Sequence, residues 1–109
     1  MSTPITHIVL LGIKSDTKPD DVKTAITRFI ALKDDCLHPT AQQPYITSIK
    51  GGEDNSIEGL HGGITHAFVV EFASAEDRLY YIHRDPAHRA FIQFVGGLID
   101  KLIVVDFAS

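Results

Sequence analysis

The chain is 109 residues long, 44% apolar and 22% charged, with a formal net charge of −4; this describes one folded domain with a modest core that oligomerisation would help. An acidic balance without a basic run argues against nucleic acid or an anionic membrane as partner, and no apolar run is long enough to cross a bilayer. MSTPITHIVLL lacks the basic start and cleavage-like site of a secretory signal, and the single cysteine, Cys36, cannot close an internal disulfide, so a reducing, cytoplasmic setting is expected.

Thr6 to Lys14, THIVLLGIK, is β-branched and apolar without a helical period, which predicts the first strand. Its odd positions place His7, Val9, Leu11 and Ile13 on one face, and its even positions place Ile8, Leu10 and Gly12 on the other. Asp16 to Pro19 reads as a turn and helix start, with Asp16 or Thr17 as N-cap and Pro19 in the first turn. The helix is predicted to run to about Leu32, with Val22, Ala25, Ile26, Phe29 and Ile30 on its apolar stripe. Two prolines break Asp35 to Pro44, and Tyr45 to Lys50 alternates weakly as a second strand.

Gly51 to Gly63, GGEDNSIEGLHGG, is a polar, glycine-rich loop within the domain. Thr65 to Phe72 is the third strand, with His66, Phe68, Val70 and Phe72 on one face and Ala67, Val69 and Glu71 on the other. Ser74 caps the next helix, with Asp77 three residues on. Pro86 ends that helix near His83 to Asp85 and opens another, with Asp85 as N-cap and His88, Phe91, Ile92 and Val95 along one face. Lys101 to Phe107, KLIVVDF, is the last strand.

The order βαββααβ predicts an α+β, ferredoxin-like sandwich of a four-stranded antiparallel sheet, as one domain over residues 1–109. Such a sandwich leaves one sheet face bare, here carrying Ile8, Leu10, Ala67, Val69, Ile103 and Val105. The simplest cover is a second copy of the same sheet, giving a homodimer.

The strands THIVLL and THAFVVEF, the helix after FAS, the DPAH…F motif and the closing Asp106-Phe107 together resemble the stress-responsive dimeric α/β-barrel (Dabb) family, from about Thr6 to Phe107. That family includes plant stress-induced and antifungal proteins and the polyketide cyclase olivetolic acid cyclase. The resemblance implies a barrel of two sheets from two subunits. In the cyclase a late-helix tyrosine and the histidine of the PAH motif carry the chemistry. Tyr81 and His88 fall on those positions, and His7 and His66 match strand histidines that line or support the pocket. IHRDPAH is one residue longer than the cyclase segment, which leaves Tyr81, Tyr80 or neither as the inward residue.

On their own terms, His7, His66 and His88 with a tyrosine, among Val9, Leu11, Phe29, Phe68 and Phe91, suit a flat, oxygenated, largely apolar small molecule. His88 is the candidate base for removing a proton next to a carbonyl, and Tyr81 the oxyanion donor. His7, His66, Val9, Leu11, Phe29, Phe68, Tyr80 and Phe91 are expected as pocket or supporting residues. The plainer reading gives the strand histidines structural hydrogen bonds and the tyrosines packing. No metal set, phosphate loop or nucleophile elbow has the right spacing, and no cofactor is expected. Three functions compete: a cofactor-free acid/base cyclase or lyase, a non-enzymatic stress or defence protein binding such a ligand, and, by fold analogy alone, a cofactor-independent monooxygenase.

Overall fold

The computed structural model describes residues 2–109. Strand β1 (Ile5–Ile13) leads to helix α1 (Pro19–Asp35). Strands β2 (Ile46–Glu53) and β3 (His66–Phe72) follow, then helices α2 (Ala75–His83) and α3 (Pro86–Gly96), and strand β4 (Ile99–Ala108) closes the chain. The four strands form one sheet in the order β2-β3-β1-β4, every neighbouring pair antiparallel. This is the α+β, ferredoxin-like architecture that the element order predicts.

Local chemistry sets most of the boundaries. Ser74 accepts a hydrogen bond from the Asp77 backbone N–H and caps α2. Asp85 accepts from the N–H groups of Ala87 and His88 and caps α3, with Pro86 in its first turn. Helix α1 departs from expectation. Its N-cap is Lys18, which makes no side-chain cap bond, so Pro19 and the favourable charges of Asp20 and Asp21 in the first turn define the start. The helix also continues past Leu32, and Cys36 closes it by donating its N–H to the Leu32 carbonyl.

Strand β2 runs into the stretch predicted as loop: Gly51, Gly52 and Glu53 pair with Phe68, Ala67 and His66 of β3. The reason lies in the core. A Cβ on Gly51 would overlap the Phe68 ring, so glycine alone lets β2 lie against that buried aromatic. Phe68 in turn stacks on Phe29 of α1 with centroids 4.0 Å apart, and Phe91 of α3 meets Phe29 edge-on at 5.1 Å.

The sheet's two faces divide as the alternation predicts. His7, Val9 and Leu11 face the helices, opposite Val70, Phe68 and His66 on β3 and Asp106, Val104 and Leu102 on β4. On the other face Ile8 lies between Val69 and Val105, and Leu10 between Ala67 and Ile103. That face has no helix over it, and Val105 and Phe107 are 53% and 51% exposed. Edge strand β4 is exposed on its helix side as well, at Leu102 and Val104. No helix is long and apolar enough to cross a membrane among the described residues.

Candidate functional site: an aromatic cavity with two oriented imidazoles

Between the helices and the β1–β4 half of the sheet lies a cavity of about 430 Å³. Val9 and Leu11 line it from β1, Phe29 from α1, Phe91 and Val95 from α3, and Leu102 and Val104 from β4. Its polar members are His7, Tyr81 and His88.

Each imidazole is held by its Nδ1. His7 Nδ1 lies 2.7 Å from Asp106 Oδ1, and Arg78 donates to the other oxygen of that carboxylate at 3.2 Å. A carboxylate only accepts, so Nδ1 carries a proton, and in the neutral imidazole Nε2 keeps a lone pair. His88 Nδ1 lies 2.7 Å from the Tyr81 carbonyl oxygen, and the same logic leaves its Nε2 as an acceptor. Burial lowers the pKa of His88, and His7 nearby acts in the same sense; the bond to the Tyr81 carbonyl and the charge of Asp85 oppose this. The result is a neutral, basic edge at neutral pH.

Tyr81 is buried, and its ring stacks on His88 with centroids 3.7 Å apart while meeting His7 edge-on at 6.0 Å. Burial pushes its phenol well above the ordinary tyrosine range, so the hydroxyl stays a donor. No protein group among the described residues hydrogen-bonds to the Tyr81 hydroxyl, to His7 Nε2 or to His88 Nε2. The cavity thus presents two acceptors and one donor against an apolar wall.

A second carboxylate supports this arrangement from behind. Asp85 is 1% exposed; besides capping α3 it accepts from the Tyr45 hydroxyl at 2.6 Å. It fixes the backbone of His88 at the first turn of its helix. Burial, with Asp85 adding, pushes up both the Tyr45 hydroxyl and the thiol of buried Cys36, so both remain protonated.

Of the residues singled out in the sequence, His7, Val9, Leu11, Phe29, Tyr81, His88 and Phe91 meet at this cavity. The remaining three stand elsewhere. Phe68 lies behind Phe29 in the core. Tyr80 turns toward Tyr45, rings 5.6 Å apart, so Tyr81 is the inward tyrosine. His66 lines a separate pocket at the other end of the helix–sheet layer. Between the two helices Arg84 closes α2 and Asp85 opens α3, both outside helical geometry. Asp106 and Arg78 are the members that sequence reasoning overlooked. The one available signal was a lone acid inside the otherwise apolar run LIVVDF. No group of three or more metal-type ligands converges among the described residues.

Comparison with known proteins bears on the family and the fold. The family model of the stress responsive A/B barrel domain, Dabb, matches residues 5–109. The stress-response A/B barrel domain-containing protein HS1 of Arabidopsis thaliana is 32% identical over 104 residues, covering 95% of this chain and 88% of that protein. Among solved structures, a hydroxynitrile lyase from Passiflora edulis superposes with a TM-score of 0.84 at 22% identity, covering 100% of this chain and 95% of that one. A dimeric ferredoxin-like protein of unknown function from Thermobifida fusca gives 0.75 at 24% identity, covering 100% and 93%. At those identities the two structures speak for the fold alone. The match over nearly the whole chain, joined to the curated relative, places this protein in the Dabb family of stress-responsive A/B barrel domains.

Proposed function

We propose that the protein binds a small, largely apolar, oxygenated molecule in the aromatic cavity and acts on it by cofactor-free acid/base chemistry of the cyclase or lyase kind. The observation that carries this reading is the set of three unpartnered polar groups, His7 Nε2, His88 Nε2 and the Tyr81 hydroxyl, gathered on an otherwise apolar wall. In the cyclase form, His88 Nε2 takes a proton from a carbon next to a carbonyl. The enolate carbon attacks a second carbonyl carbon and a C–C bond forms. Tyr81 donates a hydrogen bond to the developing oxyanion, and the imidazolium returns its proton to the alkoxide. The sequence is redox-neutral and balances without a co-reactant. His7, oriented by Asp106 and Arg78, supplies a second acceptor for a substrate hydroxyl. That a structural neighbour is a hydroxynitrile lyase accords with this kind of chemistry.

The test is turnover of a linear β-polyketide by His88→Ala and Tyr81→Phe proteins. His88→Ala is expected to lose about 100- to 10,000-fold of the rate while the fold stays intact. Unchanged turnover removes His88 from this role. The curated relative's description as a stress-response protein favours a second reading, a non-enzymatic member that binds the ligand without converting it. Saturable ligand binding with the ligand recovered unchanged selects that reading.

The working form in this proposal is a homodimer built across the bare sheet face. Ile8, Leu10, Val69, Ile103 and Val105 form an apolar surface there that a lone chain leaves wet, and the Thermobifida fusca relative is described as dimeric. Light scattering on dilute protein tests it: a dimer is expected, with Val105→Lys shifting it to monomer. A monomeric wild-type chain overturns the dimer. A cytoplasmic setting accords with the free, buried thiol of Cys36.

A further inference from the structure

At the opposite end of the helix–sheet layer a second pocket, of about 350 Å³, opens where the end of β1 and the start of α1 meet the loop entering β3. It shares no lining residue with the aromatic cavity. Ile13, Val22 and Ile64 give it an apolar side, and Glu53, Asp54 and His61 stand around it.

His66 lines this pocket while only 4% exposed, and its Nε2 is buried without a hydrogen-bond partner among the described residues. A buried polar atom left alone costs about 1–3 kcal/mol, so native structures rarely leave one without a partner, whether protein, ligand or water. Its protonation follows from counting bonds at the neighbouring Thr65 hydroxyl. That oxygen accepts the Ile13 N–H at 2.9 Å, lies 3.2 Å from the Leu11 carbonyl and lies 2.7 Å from His66 Nδ1. A carbonyl can only accept, so the hydroxyl's one proton goes to Leu11. The contact with Nδ1 then requires the imidazole to donate. The reverse assignment sets two acceptor oxygens against each other at 3.2 Å. Nε2 therefore bears a bare lone pair, and burial lowers the pKa of His66 against the opposing charge of Glu53.

Two carboxylates, Glu53 and Asp54, line the same pocket beside the side chains of Lys14, Ser15, Thr17 and His61. Glu53 is the cross-strand partner of His66 in the β2–β3 ladder and shares its face. Neither Glu53 nor Asp54 forms an ion pair among the described residues, whose ion pairs all involve Asp106. One Asp54 oxygen accepts the Ser56 N–H, leaving the other free. Lys14, the cation at the rim, directs its Nζ to the Gly97 carbonyl at 3.3 Å. With Lys14 directed to Gly97, the two carboxylates and His66 Nε2 together suit a group with several N–H donors and a positive charge, carried on a short apolar stem. Nε2 is buried, so occupancy calls for a movement of lining side chains, of which Glu53 and His61 are exposed.

We propose that this second pocket binds a short-chain primary ammonium, with His66 Nε2, Glu53 and Asp54 accepting its three N–H bonds and Ile13, Val22 and Ile64 receiving its carbons. The experiment titrates the full chain with n-propylamine at about pH 7, where such an amine is cationic, and follows the nitrogen NMR shifts of the histidine side chains. 1-Propanol and propionate serve as probes of matched shape. A saturable change at His66 Nε2 with propylamine alone is expected, with the His88 signals still. Glu53→Gln, on an exposed side chain that leaves the core intact, is expected to weaken binding about tenfold. No saturable change with propylamine overturns the site, and water alone then satisfies Nε2. An equal response to propanol or propionate, or an unaltered affinity in Glu53→Gln, overturns the ammonium assignment.

Discussion

His7 and His66 stand on the same face of neighbouring antiparallel strands and end in different chemistry. His7 lies opposite Val70, and His66 lies opposite Leu11. The two are four ladder positions apart, about 13 Å at roughly 3.3 Å per residue. At one end a carboxylate accepts the hydrogen bond of His7 Nδ1–H and an arginine holds that carboxylate, leaving Nε2 to face an aromatic cavity. At the other end a threonine hydroxyl already committed to two backbone groups takes the Nδ1 contact of His66, and Nε2 is orphaned. Alternation along a strand decides which face a side chain joins. Register decides which cavity it reaches, and the partner of one ring nitrogen decides what the other nitrogen can do.

The contrast breaks first at Asp106. In Asp106→Leu the His7 N–H and the Arg78 guanidinium both lose their acceptor in a partly buried site. We expect a loss of about 2–3 kcal/mol in urea unfolding. A loss below about 0.5 kcal/mol would mean that packing alone orients His7. Arg78→Met should cost less, within about 1 kcal/mol, because that pair is partly exposed. At the other end Gly51→Ala drives a methyl group into the Phe68 ring and should cost about 1–3 kcal/mol. A Tm indistinguishable from the parent would show that β2 can move away without penalty.

His66→Leu sharpens the comparison with a smaller effect. It removes an unpartnered polar atom and fills similar space, so stability should change by less than about 1 kcal/mol in either direction. His7→Leu strands Asp106 beside an apolar side chain and should cost clearly more. Equal losses in the two variants would mean that His66 Nε2 has a partner in solution after all.

The outcome at these sites shows what the sequence could and could not carry. Period-two patterning gave the sheet faces, and Ser74, Asp85 and Pro86 marked the helix starts, because caps and prolines act within three residues. The position of Tyr81 over His88 follows from the helix break at Arg84 and Asp85, and only the backbone there settles Tyr81 against Tyr80. Gly51 to Glu53 carries no strand pattern of its own; pairing is imposed by β3 and by the ring of Phe68. Asp106 meets His7 and Arg78 across separations of 99 and 28 residues, which no local spacing rule spans. Alternation puts His66 on the face of His7, but nothing in a single strand reports its distance along the ladder, and the two line separate pockets.

The smallest expected effect is in the pH dependence, where both ends contribute in the same direction for different reasons. Burial lowers the folded pKa of His88 and of His66 below the ordinary value of about 6.5. The unfolded chain therefore binds more protons than the folded one in the window beneath that value. The stability these groups contribute is whole above about pH 6.5 and is lost as pH falls through the folded pKa values. Each group sets a slope of at most about 1.4 kcal/mol per pH unit. Protonating His88 puts a charge on a buried imidazole beside His7, opposed by the Tyr81 carbonyl and the charge of Asp85. Protonating His66 creates an N–H that Glu53, across the ladder, can accept. His88→Gln should therefore flatten the pH profile of unfolding between neutrality and about pH 5 more than His66→Gln does. The reverse order would place the deeper proton penalty at the polar pocket, and would identify the orphaned imidazole as the group the fold works harder to keep neutral.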